Sequence, residues 1–187
     1  MNHSRLLKPW ILALVALSGS FWTQSSRAEI IRLYEVEPGK VYRGSHPQNY
    51  EDLIALKNMG IRTILNLRNN PDYNSWQSSL AQVLGFKVIN RPTASLFSPS
   101  DRHVDEIQAI LNNPSLQPVF IHCKHGKDRT GLMVGIYRVE TQGWIPQDAY
   151  KEMKAIGFNP ILIGLSQYFW SRTEPYSRSS LPEISVH

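Results

Sequence analysis

The run "VFIHCKHGKDRTGLMVG", residues 119–135, constrains this chain more than any other part of it. The apolar residues 118–123 read as a strand buried on both faces, and "TGLMVGIYRVETQG" reads as a helix with Leu132, Met133 and Ile136 in the core. The chain must turn sharply between them, from Lys124 to Asp128, and Gly126 permits that turn. In open α/β sheets, ligands bind beyond the carboxyl ends of such strands. Backbone N–H groups of the turn then face inward as an anion cradle, backed by the positive end of the helix that starts near Arg129 or Thr130.

Cys123, the only cysteine, stands where the strand meets this cradle. A field that favours a bound anion also favours a thiolate, and thiol pKa values fall from about 8.5 to roughly 3.5–7.5 in such places. A thiolate near neutral pH is a nucleophile. Arg129 offers a planar fork of donors that matches two oxygens of a phosphate. Thr130 can hydrogen-bond the thiolate, and His122 is expected to orient the loop, because a thiolate already formed needs no base. The competing reading of Cys123 is an inert buried thiol. The arginine, both glycines (126 and 131) and the strand-to-helix context argue against it. A Walker A loop is excluded, because no Gly occupies the required position before "GK" and Asp128, not Ser or Thr, follows Lys127. A sulfurtransferase loop would also present a cysteine but is usually shorter.

Upstream, strand-like and helix-like patterns alternate. Residues 40–45, 63–68 and 86–92 read as strands. "NYEDLIALKNMG" reads as a helix capped by Asn49, with Asp52 at its third position and Gly60 after it. "SWQSSLAQVLG" reads as a helix with Trp76, Leu80, Val83 and Leu84 on its apolar face. "SPSDRHVDEIQAILNN" reads as a third helix, with Ser98 as cap and Pro99 at its first position. "PQDAYKEMKAIG" and "PILIGLSQYFW" complete the set. The fold class is therefore α/β, a small central, mostly parallel sheet flanked by helices.

At the N-terminus, Arg5 and Lys8 precede the apolar run "WILALVAL" and a Ser-x-Ala site. Residues 1–28 read as a secretory signal, since the run is short for a membrane span. An uncleaved membrane anchor is the alternative. The chemical domain is placed at 29–170 and a loosely ordered tail at 171–187. Loss of Arg5, Lys8 and Arg27 takes the formal charge from +5 to +2, so the basic pI does not argue for nucleic-acid binding. A single cysteine also allows no disulfide within this chain.

The segment "HCKHGKDRTG" fits the pattern His-Cys-x2-Gly-x2-Arg-Thr-Gly, and the chain resembles the dual-specificity branch of the protein tyrosine phosphatases. "VYRGSHPQ" is similar to the early Tyr-Arg-Ser-x-x-Pro element of small bacterial exported tyrosine phosphatases and of atypical plant and fungal dual-specificity phosphatases. "YRVETQGW" resembles the bacterial exported members. The resemblance covers about Val41 to Gly157. It implies a phosphocysteine intermediate on Cys123, hydrolysed by water, with Arg129 as clamp, Lys124, His125, Gly126, Lys127, Asp128 and Thr130 around the substrate, and no metal or other cofactor.

The resemblance also implies an Asp on a separate upstream loop that protonates the leaving oxygen. Asp101, 22 residues before Cys123, is the first candidate, although it also suits the start of a helix. Asp128 is the runner-up, since some bacterial relatives share its Lys-Asp-Arg. Asp105 lies a turn beyond Asp101 on the same helix, and Asp72 is a weaker candidate. The expected substrate is a phosphotyrosine or mixed phosphoprotein. Lys124 and Lys127 also match loops that act on phosphoinositides or inositol pyrophosphates, which is the alternative. A phosphate-binding module without turnover is the reading from another class.

Overall fold

A computed structural model describes residues 30–179, so the assignment of residues 1–28 lies outside the described residues. Five strands and six helices follow in the order β1 (Tyr34–Glu37), β2 (Val41–Gly44), α1 (Tyr50–Asn58), β3 (Thr63–Asn66), α2 (Pro71–Val83), β4 (Lys87–Asn90), α3 (Asp101–Leu111), β5 (Val119–His122), α4 (Asp128–Glu140), α5 (Pro146–Ala155) and α6 (Ile163–Ser179). The sheet order is β1-β2-β5-β3-β4. Only β1 runs antiparallel, against β2; β2, β5, β3 and β4 are parallel.

Strand period sorts the apolar side chains onto two faces. Val41, Leu65, Val119 and Ile121 join the cluster under α3, α4, α5 and α6. Ile64 and Phe120 join the cluster under α1 and α2. The central β5 is buried at all four positions, as its apolar run predicts. Leu132, Met133 and Ile136 of α4 are fully buried.

Helix starts follow their caps. The Asn49 side chain accepts from the Asp52 N–H, as expected for α1. Asn70 accepts from the Tyr73 N–H, so α2 starts at Pro71, before the expected Ser75. Its inward face also differs from the sequence reading. Gln77 and Ala81 are buried, whereas Val83 is 83% exposed. The apolar period missed this because the residue facing the sheet is an amide. For α3, Ser100 is the cap and accepts from the His103 N–H, which puts Asp101 first in the helix and leaves Ser98 and Pro99 outside it.

The helix expected to end near Trp170 runs on to Ser179, through residues assigned to a loose tail. Thr173 is buried and its hydroxyl donates to the Phe169 carbonyl at 2.8 Å. Arg172 pairs with Glu140 at 2.5 Å and with Asp105 at 2.7 Å, which ties α6 to α4 and α3. β1 had no counterpart among the expected strands. Its sequence YEVE buries only Val36 fully, as befits a short edge strand.

Candidate active site

Parallel register brings three strand ends level: Gly44 of β2 and Asn66 of β3 both sit opposite His122 of β5. Cys123 is the next residue, at the carboxyl edge of the sheet. The loop beyond it is pressed against the end of β2. Gly126 has φ +68°, and a Cβ there would lie 2.5 Å from the Gly44 carbonyl carbon and oxygen. Only glycine fits, for backbone angle and for space together.

Side chains from the β2 end then hold the loop carbonyls. The buried Arg43 guanidinium donates through Nη2 to the Gly126 carbonyl at 2.8 Å. His46 Nδ1 meets the Lys124 carbonyl at 2.6 Å. In a trans peptide the N–H points opposite to the preceding C=O. Drawing these carbonyls outward therefore turns the His125 and Lys127 N–H groups inward, toward the sulfur side of the loop. Burial pushes Arg43 down to about 10, so it keeps its charge at neutral pH. Its Nε and Nη1 have no hydrogen-bond partner among the described residues.

Cys123 is 3% exposed. Burial pushes its thiol up. Donation from the Thr130 hydroxyl and N–H, the Arg129 charge and the His125 N–H outweigh burial, and the net position is below the ordinary thiol value. The Thr130 hydroxyl is buried beside the sulfur without a well-aligned hydrogen bond, so its proton is free to turn toward a thiolate. Arg129 is held from behind, its Nη1 donating to the carbonyls of Leu67 at 3.2 Å and Thr93 at 3.4 Å. A second guanidinium, Arg68, lies 3.7 Å above the Tyr73 ring. Burial lowers Arg68; Tyr73 and the Cys123 sulfur favour its charge, and Arg129 opposes it.

His122 is fully buried, and burial pushes it down to about 3. Its Nδ1 contacts the Cys123 carbonyl at 3.2 Å, and its Nε2 contacts Gln77 Nε2 at 2.8 Å. A carbonyl can only accept and an amide NH2 can only donate, so the ring is neutral with its proton on Nδ1. That ring orients the loop and is not placed to act as a base.

Lys124 to Lys127 form the loop after Cys123, and Asp128, Arg129 and Thr130 open α4, which starts a residue or two before the expected Arg129 or Thr130. Lys124 and His125 are exposed, and Asp128 Oδ1 accepts from the Asn159 N–H at 2.9 Å. Asp101 occupies a different neighbourhood. Its Oδ1 accepts from the Tyr168 hydroxyl at 2.7 Å and lies 3.6 Å from Arg172 Nη1, on the seam between α3 and α6. Asp105 pairs with Arg172, and Asp72 is in the first turn of α2. Sequence reasoning did not single out Arg43, His46, Arg68 or Gln77. The first two lie in "VYRGSHPQ", which carried a signal. Gln77 carried none.

Two outcomes test this geometry. Alkylation of Cys123 by iodoacetamide, followed against pH, should have its midpoint below that of free cysteine. In Thr130→Val the midpoint should move upward; an unchanged midpoint would remove Thr130 from the thiolate's support. His122 takes up its proton near 3 when folded but near 6.5 when unfolded. Stability is therefore lost as pH falls below 6.5, by about 2 kcal/mol between pH 6.5 and pH 5. Urea denaturation of His122→Gln should lack that part of the loss. Equal slopes in both proteins would show that His122 is not buried neutral.

Known proteins resemble this arrangement. Dual specificity protein phosphatase TpbA of Pseudomonas aeruginosa is 33% identical over 143 residues, a match covering 73% of this chain and 59% of TpbA. Inositol diphosphatase SIW14 of Saccharomyces cerevisiae is 27% identical over 138 residues, covering 70% of this chain and 47% of that protein. The matches thus span under two thirds of these relatives' own lengths. The crystal structure of a Cys-to-Ser variant of P. aeruginosa TpbA in complex with pTyr superposes with a TM-score of 0.64 at 26% identity, over 80% of this chain and 90% of that one. A family model described as "DSP-PTPase phosphatase fused to NAD+ Kinase" matches residues 23–163, and the chain belongs to that family of dual-specificity-type phosphatases.

Proposed function

We propose that the chain hydrolyses phosphate monoesters through a phosphocysteine on Cys123, acting first on phosphotyrosine or mixed phosphoproteins. The observation that carries this is the sulfur itself: buried, below the ordinary thiol value, and faced by Arg129 and inward N–H groups. Arg129 and the loop amides grip the three non-bridging oxygens of the phosphoryl group. The thiolate attacks phosphorus in line; the S–P bond forms as the ester P–O bond breaks. Water then attacks phosphorus, the S–P bond breaks, and orthophosphate leaves with the thiolate restored. Donors preset around the loop stabilise charge in both steps without reorganising. The relative crystallised with pTyr supports the protein substrate. The exposed Lys124, with Lys127 beside it, and the relative named as an inositol diphosphatase support a second reading, an inositol phosphate or pyrophosphate.

The leaving oxygen takes its proton from Asp101 in this proposal, on its spacing 22 residues before Cys123; its Oδ1 is bound to Tyr168 and Arg172 on the seam between α3 and α6. Asp128 is the second assignment, because it opens α4 directly after the loop, five residues from Cys123. Residues 1–28 are proposed as a signal that exports the protein to the periplasm or beyond, with membrane attachment if they stay in place. No helix among the described residues is long and apolar enough to cross a membrane.

Cys123→Ser should abolish release of phosphate from p-nitrophenyl phosphate; retained release would remove the covalent route. Asp101→Asn should slow a poor leaving group, an alkyl phosphate, by about 10²-fold or more and leave p-nitrophenyl phosphate nearly unaffected. The same selective loss in Asp128→Asn instead would transfer the role. N-terminal sequencing of the exported protein should begin at or near Glu29, and an intact Met1 in a membrane fraction would replace export with anchoring.

A further inference from the structure

The segment "ASLFS", residues 94–98, carries two apolar side chains that join neither core cluster. Phe97 is 73% exposed, and Leu96 is exposed beside it. Between α5 and α6, Ile161 is 80% exposed, and Ile163, which opens α6, is exposed as well. We propose that these four side chains are a seat on an anionic lipid surface, which holds the phosphate loop against the headgroup layer. The inference concerns where the protein docks, and it stands whether or not Cys123 turns a substrate over.

The two segments form one unit. A Cβ on Gly164 would lie 2.8 Å from the Leu96 carbonyl oxygen and 2.9 Å from the Ser98 nitrogen, so only glycine lets the start of α6 come this close. The Ser98 hydroxyl closes the contact by donating to the Gly164 carbonyl at 2.8 Å. Both segments are also tied to the active site. Thr93, three residues before Leu96, accepts from Arg129 Nη1 at 3.4 Å through its carbonyl. Asp128 Oδ1 accepts from the Asn159 N–H at 2.9 Å, and Asn159 Oδ1 accepts from the Ile161 N–H at 3.1 Å. Three residues of extended chain span at most about 11 Å, so the apolar tips stand at the mouth of the site, beside Arg129 and Asp128.

Basic groups flank these tips. Lys124 is exposed next to Cys123. The Lys127 stem packs over Gly157, where a Cβ would lie 3.1 Å from Lys127 Cδ, and Arg32 Nε donates to the Ile156 carbonyl at 3.1 Å. Lys127 and Arg32 therefore border the turn that carries Ile161. The neighbouring carboxylates are engaged, Asp101 and Asp105 with Arg172 and Asp128 with Asn159. Apolar tips beside lysine and arginine have the composition of an interfacial seat. The tips enter the boundary between headgroups and acyl chains, and the cations meet anionic headgroups.

Shape selects a lipid surface over a protein. Apolar side chains grouped in water mark an interaction site. These four are so exposed that they stand out from their loops rather than line a groove. A folded partner or a peptide would have to supply a pocket cut to each of them. The boundary of a bilayer yields around any shape and takes the same apolar area out of water.

An environment-sensitive nitrobenzoxadiazole label tests this on the full chain carrying Cys123→Ser. The label is attached at Phe97→Cys or, on the other face of the sheet, at Val83→Cys. The probes are vesicles of phosphatidylglycerol and phosphatidylcholine in equal parts, vesicles of phosphatidylcholine alone, and a phosphotyrosine peptide with leucine neighbours. With the mixed vesicles, the label at position 97 should shift to the blue and be quenched by lipids brominated on their acyl chains, while the label at position 83 should do neither. Binding to phosphatidylcholine alone should be about tenfold weaker, and Ile161→Ser with Ile163→Ser should weaken binding to the mixed vesicles about tenfold. No shift at position 97, or equal shifts at both labels, would overturn the seat. Equal affinity for the two kinds of vesicle would overturn the anionic partner, and unchanged affinity in the isoleucine variant would overturn the apolar contact. A shift at position 97 with the peptide and none with vesicles would replace the lipid surface by a protein. Attachment through residues 1–28 would not imitate the expected result, because quenching from the acyl chains reads the depth of position 97 alone.

Discussion

The backbone of Gly126 lies so close to the end of β2 that no side chain fits between them. The rest of the site depends on this contact. It exists because β2 is the parallel neighbour of β5, so the strand end that meets the loop is fixed by sheet order. With the loop seated there, Arg43 and His46 reach the carbonyls of Gly126 and Lys124. The amides that follow those carbonyls are then aimed by covalent geometry. An anion cradle is thus built from the outside, by groups that hold the loop's carbonyls.

The sulfur shows which effect wins when burial and donors compete. Desolvation is the largest single influence on Cys123 and acts against the thiolate. Several smaller influences, from Thr130, Arg129 and the His125 N–H, act together in its favour and prevail. For His122 burial prevails, and the ring stays neutral. Two adjacent residues on one strand end therefore have opposite outcomes. The difference is the number of donors or acceptors matched to the charged form.

Much of this was legible in the sequence because the machinery is contiguous. The strand, loop and helix around Cys123 follow one another within residues 119–140, and each needs a residue type that shows itself: apolar β5, Gly126, Arg129. The cap at Asn49 was legible for the same reason. What was not legible depends on partners distant in sequence. Gln77 breaks an apolar period, yet it is buried because His122 offers it a nitrogen. The tail past Trp170 looks polar, but Arg172 meets Glu140 and Asp105 across the helices. β1 is a half-exposed edge whose pairing with β2 exists only in the sheet. Asp101 has a plausible spacing, but spacing says nothing of Tyr168 and Arg172, to which it is bound.

The sheet order has a consequence for how the protein is made. β5 is the last of the described strands to leave the ribosome, yet it occupies the middle position, between β2 and β3. Until it arrives, its two neighbours have no partner on the sides that will face each other. The contact of His46 with Lys124 closes across 78 residues of chain. Long-range pairing of this kind is slow, because the loop entropy must be met before the contacts form. The Cys123 thiol therefore acquires its surroundings only when the centre of the sheet closes.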